Sequence, residues 1–161
     1  MTPARDFEAL KMIRDDSDNK DFQGLVQLLD KDLFDRYGNL QEFFDQFNGL
    51  DRIKGVVVAY INDDPVGCGA MKKYSNDCME IKRMFVKKQY RGRGIAKQVL
   101  AELESWAAEQ NFTTCILETG TEQPEAIALY QNVGYTITGN YGPYIGIDLS
   151  VCMQKKLIGP S

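Results

Sequence analysis

Histidine is absent from all 161 residues. Its absence excludes a histidine-based triad, a histidine metal site and the commonest general base. Acid–base chemistry therefore falls to carboxylates, tyrosine, lysine, cysteine or water. Cysteine is sparse and scattered: Cys68, Cys78, Cys115 and Cys152 stand far apart beside apolar or small residues, and none forms a Cys-x-x-Cys pair. They read as buried reduced thiols, and no metal site is expected. No apolar run approaches the roughly 18 residues of a membrane span, and Met1 to Asp6 lacks a signal peptide's apolar segment. The expectation is a cytoplasmic protein without a membrane partner. Tryptophan occurs once, yet 8 Tyr, 8 Phe and a hydrophobic fraction of 43% suffice for a core. At this length the expectation is one domain, residues 1–161.

Charge of one sign is unevenly spread. Between Lys82 and Lys97 stand seven cations (Lys82, Arg83, Lys87, Lys88, Arg91, Arg93, Lys97) and no acid. The rest of the chain holds 12 cations against 23 anions, a balance of -11. The segment reads either as a solvated basic face or as an anion site, since a local positive field in an acidic protein favours a polyanionic ligand. Nucleic acid is not the expected partner, because the patch is short and the remainder would repel a phosphate backbone. The acidic remainder is compatible with a cationic amine as substrate.

The periodicities alternate between strand and helix. Phe7 to Ile13 reads as a first strand; Leu25, Leu28, Leu29 and Leu33 recur at helical spacing, and Tyr37-Gly38-Asn39 breaks the pattern. A second short helix is expected over Leu40 to Phe47. Ile53 to Ile61 and Val66 to Tyr74 are β-rich runs around the turn Asn62-Asp63-Asp64-Pro65, and Cys78 to Val86 continues the meander. Ile95, Ala96, Val99, Leu100, Leu103 and Ala107 line one face of a helix ending near Asn111. Thr114 to Glu118 is a strand, Pro124 to Asn132 a helix with Pro at its first turn, and Gly134 to Thr138 and Asp148 to Leu157 are closing strands. Strand, helix, strand implies a right-handed crossover and parallel pairing of Met79–Val86 with Thr114–Glu118. The fold class is mixed α/β around one twisted sheet.

Gly92 and Gly94, flanked by Arg91 and Arg93, fall at the junction of a strand and an amphipathic helix. Glycines admit φ > 0 and close approach, and the first turn of a helix offers unpaired N–H groups and a positive dipole end. The combination is a pyrophosphate cradle; alone it also reads as a tight turn into a helix. It is not a P-loop, lacking Gly-Lys-Ser/Thr, nor a dinucleotide fingerprint, since Lys97 stands where a third Gly or Ala belongs.

Arg91-x-x-Gly94-x-Ala96 resembles the Gln/Arg-x-x-Gly-x-Gly/Ala signature of the GNAT acetyltransferase superfamily. Glu80-Ile81-Lys82-Arg83-Met84-Phe85-Val86 is similar to that family's fourth strand, and Pro124 to Tyr130 followed by Gly134-Tyr135 is similar to its Asn-x-x-Ala-x-x-x-Tyr-x-x-x-Gly-Phe/Tyr segment. The resemblance is detailed from Met79 to Tyr135. It implies a mostly antiparallel sheet whose central parallel pair splays around acetyl-coenzyme A, flanked by helices. By the same resemblance, Met84, Phe85 and Val86 pair with the pantetheine arm and polarise the carbonyl, while Arg91, Gly92, Arg93, Gly94, Ile95 and Ala96 receive the pyrophosphate. Gln123 and Ala126 would complete the coenzyme site. Gln123 stands where many members have Asn, and Lys88 where Pro is common.

Amide formation from a thioester needs a neutral amine, a polarised carbonyl and a proton for the leaving thiolate. The resemblance implies that the Tyr130 hydroxyl faces the sulfur as proton donor; a packing role is the alternative. Glu80, eleven residues before Arg91, matches the position of a glutamate general base in some members; the alternative is a strand carboxylate paired with Lys82 on the same face. Glu118 ends the fifth strand as a substrate-facing candidate. Tyr141 and Tyr144, with Phe34 and Tyr37 on an early loop, are candidates for an aromatic wall over the acceptor. The leading expectation is acetyl transfer from acetyl-coenzyme A to a primary amine of a small molecule, amino acid or peptide, by direct attack in a ternary complex. A catalytically silent coenzyme A-binding regulatory domain is the alternative, and a homodimer is left open.

Overall fold

The structure, a computed structural model, describes residues 10–38 and 53–157. Seven strands form one sheet in the order β1-β2-β3-β4-β5-β7-β6. They are β1 (Leu10–Asp15), β2 (Ile53–Ile61), β3 (Asp64–Lys73), β4 (Cys78–Val86), β5 (Thr114–Gly120), β6 (Thr136–Thr138) and β7 (Ser150–Lys156). Between them run α1 (Lys20–Tyr37), α2 (Ile95–Glu109) and α3 (Pro124–Asn132). Among the described residues only β4 and β5 pair in parallel, and every other ladder is antiparallel. Among the described residues no helix is long and apolar enough to cross a membrane.

Each face of the sheet carries its own core. Val57, Ala59, Met71, Met79, Ile81, Cys115 and Leu117 pack against Val99, Leu100 and Leu103 of α2, and Tyr130 of α3 and Tyr135 join them. On the other face Val56, Val58, Cys68, Ala70 and Phe85 meet Phe22, Leu25, Val26 and Leu29 of α1. The two-residue period sends neighbours on one strand to opposite cores, which is why β2 reads as an unbroken apolar run. Asn19 starts α1, its Oδ1 accepting from the Phe22 backbone N–H at 2.8 Å.

The bounds of β2, β4 and α3 match the sequence expectation, and so does the parallel crossover. β5 runs on from the expected Glu118 to Gly120, β6 starts at Thr136 instead of Gly134, and β7 is Ser150–Lys156, inside the expected Asp148 to Leu157. The first strand, the first helix and β3 differ more. β3 begins at Asp64, because Asn62 and Asp63 both take positive φ in a two-residue turn. Pro65 then sits at a register irregularity opposite Tyr60, where its missing N–H is tolerated. The first helix is longer than its leucine spacing implied, and it carries Phe34 and Tyr37 on its last turn, not on a loop; Leu28 is 45% exposed and off the buried face. The first strand is Leu10–Asp15, and Phe7 to Ala9 and the expected helix Leu40 to Phe47 lie outside the described residues.

Two irregularities position the site. β4 and β5 pair only from Cys78↔Thr114 to Glu80↔Ile116, although both strands continue. Opposite this departure the β3–β4 register slips between Cys68↔Phe85 and Ala70↔Lys82, so Arg83 and Met84 together face Gly69. Arg83 adopts φ 58, the left-handed backbone of a bulge that bends its strand. The bend and the departure open a cleft between two central strands.

Candidate active site

The cleft's outer part is a groove of about 460 Å³. Met84, Phe85 and Val86 form one wall, and the chain then turns through a short 3₁₀ segment, Lys88–Tyr90, into the basic loop. Arg91 is folded back: its Nε donates to the Val86 carbonyl at 2.8 Å, and its guanidinium lies 5.5 Å from the Phe85 ring centre. Gly92 and Gly94 have φ 82 and 80. A Cβ on either would meet nothing within 4 Å, so glycine is required there by backbone conformation and not by crowding. Gly94 caps α2 with no side-chain hydrogen bond. The first-turn N–H groups and the positive end of the helix dipole are therefore presented to the groove.

Of the residues the sequence assigned to the coenzyme, Met84, Phe85, Val86, Arg91, Gly92, Gly94, Ile95, Ala96, Gln123 and Ala126 all line this groove. Arg93 is not among its lining residues; its guanidinium lies over the Tyr90 ring at 5.4 Å. Sequence reasoning missed the contribution of α1, whose Leu29, Asp32 and Arg36 form the opposite wall. Asp32 is 3.6 Å from Arg91 and 4.0 Å from Arg36. Arg36 also pairs with Glu125 and donates to the Glu122 carbonyl at 3.0 Å. Nothing in the local pattern of α1 signals this role, since Arg91, Glu122 and Glu125 lie far downstream.

A smaller chamber of about 120 Å³ lies deeper in the cleft. It shares Leu29, Met84, Gln123, Ala126 and Tyr130 with the groove, and Lys82, Arg83, Glu118 and Thr119 add polar groups. Tyr130 is 7% exposed, and burial together with the nearby Glu118 raises its phenol's pKa, so it holds its proton at neutral pH. Burial likewise pushes the Glu118 carboxyl up to about 7, against the Ser150 hydroxyl, which donates to its Oε2 at 2.7 Å, and Lys82; Glu80 adds to the rise.

Glu80 sits behind this chamber and is not among its lining residues. It is buried, its Oε2 accepts from the Tyr141 hydroxyl at 2.6 Å, and Lys82 Nζ stands 3.7 Å away. Lys82 in turn donates to the Tyr144 hydroxyl at 3.1 Å. The structure thus joins Glu80, Lys82, Tyr141 and Tyr144 in one buried cluster. The Tyr37 hydroxyl accepts from Gln123 Nε2 at 3.4 Å and reaches the site indirectly. Phe34 is 53% exposed and, like Tyr37, Tyr141 and Tyr144, is not among the residues that line these two spaces. Ser150 had no local signal, because only the β5–β7 pairing brings it beside Glu118.

The family model for the acetyltransferase (GNAT) family matches residues 21–135. An IAA acetyltransferase from Azospirillum brasilense is 37% identical over 102 residues, covering 63% of this chain and 67% of the relative. The chain spans only 33% and 49% of the length of two vertebrate relatives, N-acetyltransferase family 8 member 2 of Rattus norvegicus and a Xenopus tropicalis protein assigned as N-acetyltransferase 14. A Klebsiella pneumoniae protein assigned as an acyl-CoA N-acyltransferase superposes with TM-score 0.77 at 29% identity, over 92% of this chain and 98% of that one. The mixed sheet with its one parallel pair is the fold these structures share. The chain belongs to the GNAT family of acetyltransferases and is an acyltransferase.

Proposed function

We propose that the protein transfers an acetyl group from acetyl-coenzyme A to a primary amine by direct attack in a ternary complex. The observation that carries this reading is the wall shared by groove and chamber, where Met84, Gln123, Ala126 and Tyr130 border both. A donor in the groove and an acceptor in the chamber would meet at Tyr130. Acetyl-coenzyme A fits the groove on its own terms: two left-handed glycines and an uncapped helix start suit a pyrophosphate, and Leu29, Ile95 and Ala96 suit an apolar arm. When bound, it supplies an acyl carbon already activated as a thioester. A Bacillus anthracis protein assigned as a streptothricin acetyltransferase, 25% identical with TM-score 0.58, has been solved with acetyl-coenzyme A; the superposition covers 65% of this chain and 62% of that one.

The residues divide the proton work. Glu118 takes one proton from the acceptor ammonium, leaving a neutral nucleophile. Tyr130 gives its proton to the departing sulfur as the C–N bond forms and the C–S bond breaks. The amine's second proton restores the phenol, so one proton is released per turnover. Glu118 is preferred to Glu80 as the base because it lines the chamber, whereas Glu80 is engaged by Tyr141 and Lys82. Glu80 then acts by fixing Lys82 and Tyr141.

The test follows thiol release from acetyl-coenzyme A across a panel of amines. Tyr130→Phe is expected to lower kcat by roughly 10²-fold while leaving acetyl-coenzyme A affinity within about threefold. A variant as fast as wild type removes Tyr130 as the acid. Tight acetyl-coenzyme A binding with no turnover on any amine would point to a silent binding domain.

A further inference from the structure

β4 holds a residue in a backbone conformation that its type does not favour. Among the described residues, the other non-glycine positions with positive φ are Asn62, Asp63 and Asn111, whose short polar side chains tolerate the left-handed region. Arg83, at φ 58, lacks that excuse, and glycine would suit its backbone better. A strained arginine persists only where its surroundings over-determine it. The Arg83 side chain is 9% exposed, and its Nη1 donates to Asp30 Oδ1 of α1 at 2.6 Å. Its carbonyl accepts from the Cys68 thiol at 3.4 Å, and burial raises that thiol's pKa to about 12, so the donor proton stays. Opposite the bulge, a Cβ on Gly69 would overlap Met84 Sδ, so the missing side chain makes the room that the bulge needs. Ile81, Met84 and Val86 join the α2 core, whereas Arg83 reaches α1 and Phe85 packs beneath it. A strict two-residue period from Ile81 would send Arg83 into the α2 core; the extra residue turns it to α1 and resets the phase of Met84, Phe85 and Val86, which line the groove.

We infer that Asp30 and Arg83 are a positioning pair for the coenzyme groove, pinning the β4 bulge to α1 and so setting the separation of the groove's two walls. The inference rests on the reading of the groove as the acetyl-coenzyme A site and adds the residues that hold it to width. Asp30 adjoins Leu29 and stands two residues from Asp32, both of which line the groove from α1; Arg83 adjoins Met84, which lines it from β4. Neither Asp30 nor Arg83 is itself among the groove's lining residues, so the pair acts through these neighbours. With Arg83 largely withdrawn from water, the ion pair is screened less than one at an open surface. The pair also answers why arginine occupies a glycine-like position: its guanidinium supplies the tie that glycine would lack.

The experiment measures coenzyme A affinity by calorimetry for wild type, Asp30→Ala, Asp30→Glu, Arg83→Gly and the double variant Asp30→Ala/Arg83→Gly, each first shown by circular dichroism to be folded at the temperature used. Because the Asp30 side chain is 42% exposed, the two Asp30 variants carry the test if Arg83→Gly does not fold. Asp30→Ala and Arg83→Gly are each expected to raise Kd roughly tenfold, and the double variant no further than the weaker single one, because both remove the same tie. Asp30→Glu should stay close to wild type. The sign is diagnostic: charge alone would make Asp30→Ala bind the polyanionic coenzyme more tightly, whereas loss of the pin weakens it. A Kd that stays at the wild-type value or falls in Asp30→Ala overturns the inference, even if the melting temperature drops, since a pair that serves stability alone leaves the affinity of the folded protein untouched. Weakening confined to the variants lacking Arg83 also overturns it, and points to direct contact between that guanidinium and ligand. A wild type that binds no coenzyme A overturns the donor reading along with this one, which separates that failure from the others.

Discussion

The groups around Glu118 make its carboxyl a source of instability and, in the proposed mechanism, of activity. Lys82 and Glu80 approach it from β4 and Ser150 from β7, while Tyr130 of α3 stands across the chamber. Burial dominates and lifts the carboxyl to about 7 from 4.5. Between those values the folded protein holds a proton that the unfolded chain has lost, so stability must fall as pH rises through that window. The loss attributable to this one group is on the order of 3 kcal/mol once pH exceeds 7. Glu118→Gln should therefore be more stable than wild type at pH 8 and close to it at pH 4.5, read by urea denaturation at both. In the proposed mechanism the same proton must leave before the base can act. Wild-type kcat/KM is expected to rise with pH up to about 7 and then level, and Glu118→Gln should lose that limb along with roughly 10²-fold in rate. A variant less stable at pH 8 than wild type would contradict the burial argument.

At the level of elements, α1 is tied across the cleft at its C-terminal end. Arg36 reaches Glu122 and Glu125, and the Tyr37 hydroxyl is wedged against Gly120, where a Cβ would overlap it. Gly120→Ala must displace that tyrosine, with an expected loss of about 1–3 kcal/mol and weaker acetyl-coenzyme A binding, since Asp32 and Arg36 of α1 line the groove. Denaturation midpoints and calorimetry check both; a variant unchanged in each would show that the tie is dispensable. Local signals carried most of the fold. Asn62-Asp63, Ser75-Asn76-Asp77 and Pro124 bracket their elements in the sequence, and the switch from strand to helical period at Gly94 located the basic loop. The chamber was far less legible. Ser150 meets Glu118 through strand pairing, Lys82 faces it across strands that have parted, and Glu80, beyond its same-strand neighbour Lys82, takes Tyr141 from a distant loop. None of these relations has a period or a spacing. Resemblance pointed to Glu80 as base, but it is the divergence of β4 from β5 that decides which carboxylate faces the open space.

Considered whole, the molecule builds its groove from both sides of the sheet. Leu29, Asp32 and Arg36 come from the helix on one face, and Gln123, Ala126 and Tyr130 from α3 and its N-cap, which pack with the core on the other. A ligand bridging these elements stabilises the native state in proportion to its occupancy. At a hundredfold excess over Kd, coenzyme A should add about 2.7 kcal/mol and raise Tm by ~5–11 °C for a chain of this length. Differential scanning calorimetry over a coenzyme A titration checks it, and a Tm that does not move would argue against the groove as the site. The parting of β4 and β5 has one more consequence. Beyond Glu80 and Ile116 the ladder between these strands stops, so among the described residues a sheet with two outer margins also carries unpaired backbone in its middle. Exposed strand margins invite pairing with other chains and hence aggregation. On the proposed reading, a coenzyme A arm paired with that backbone would cover it, and aggregation of the ligand-free protein should slow as coenzyme A is added.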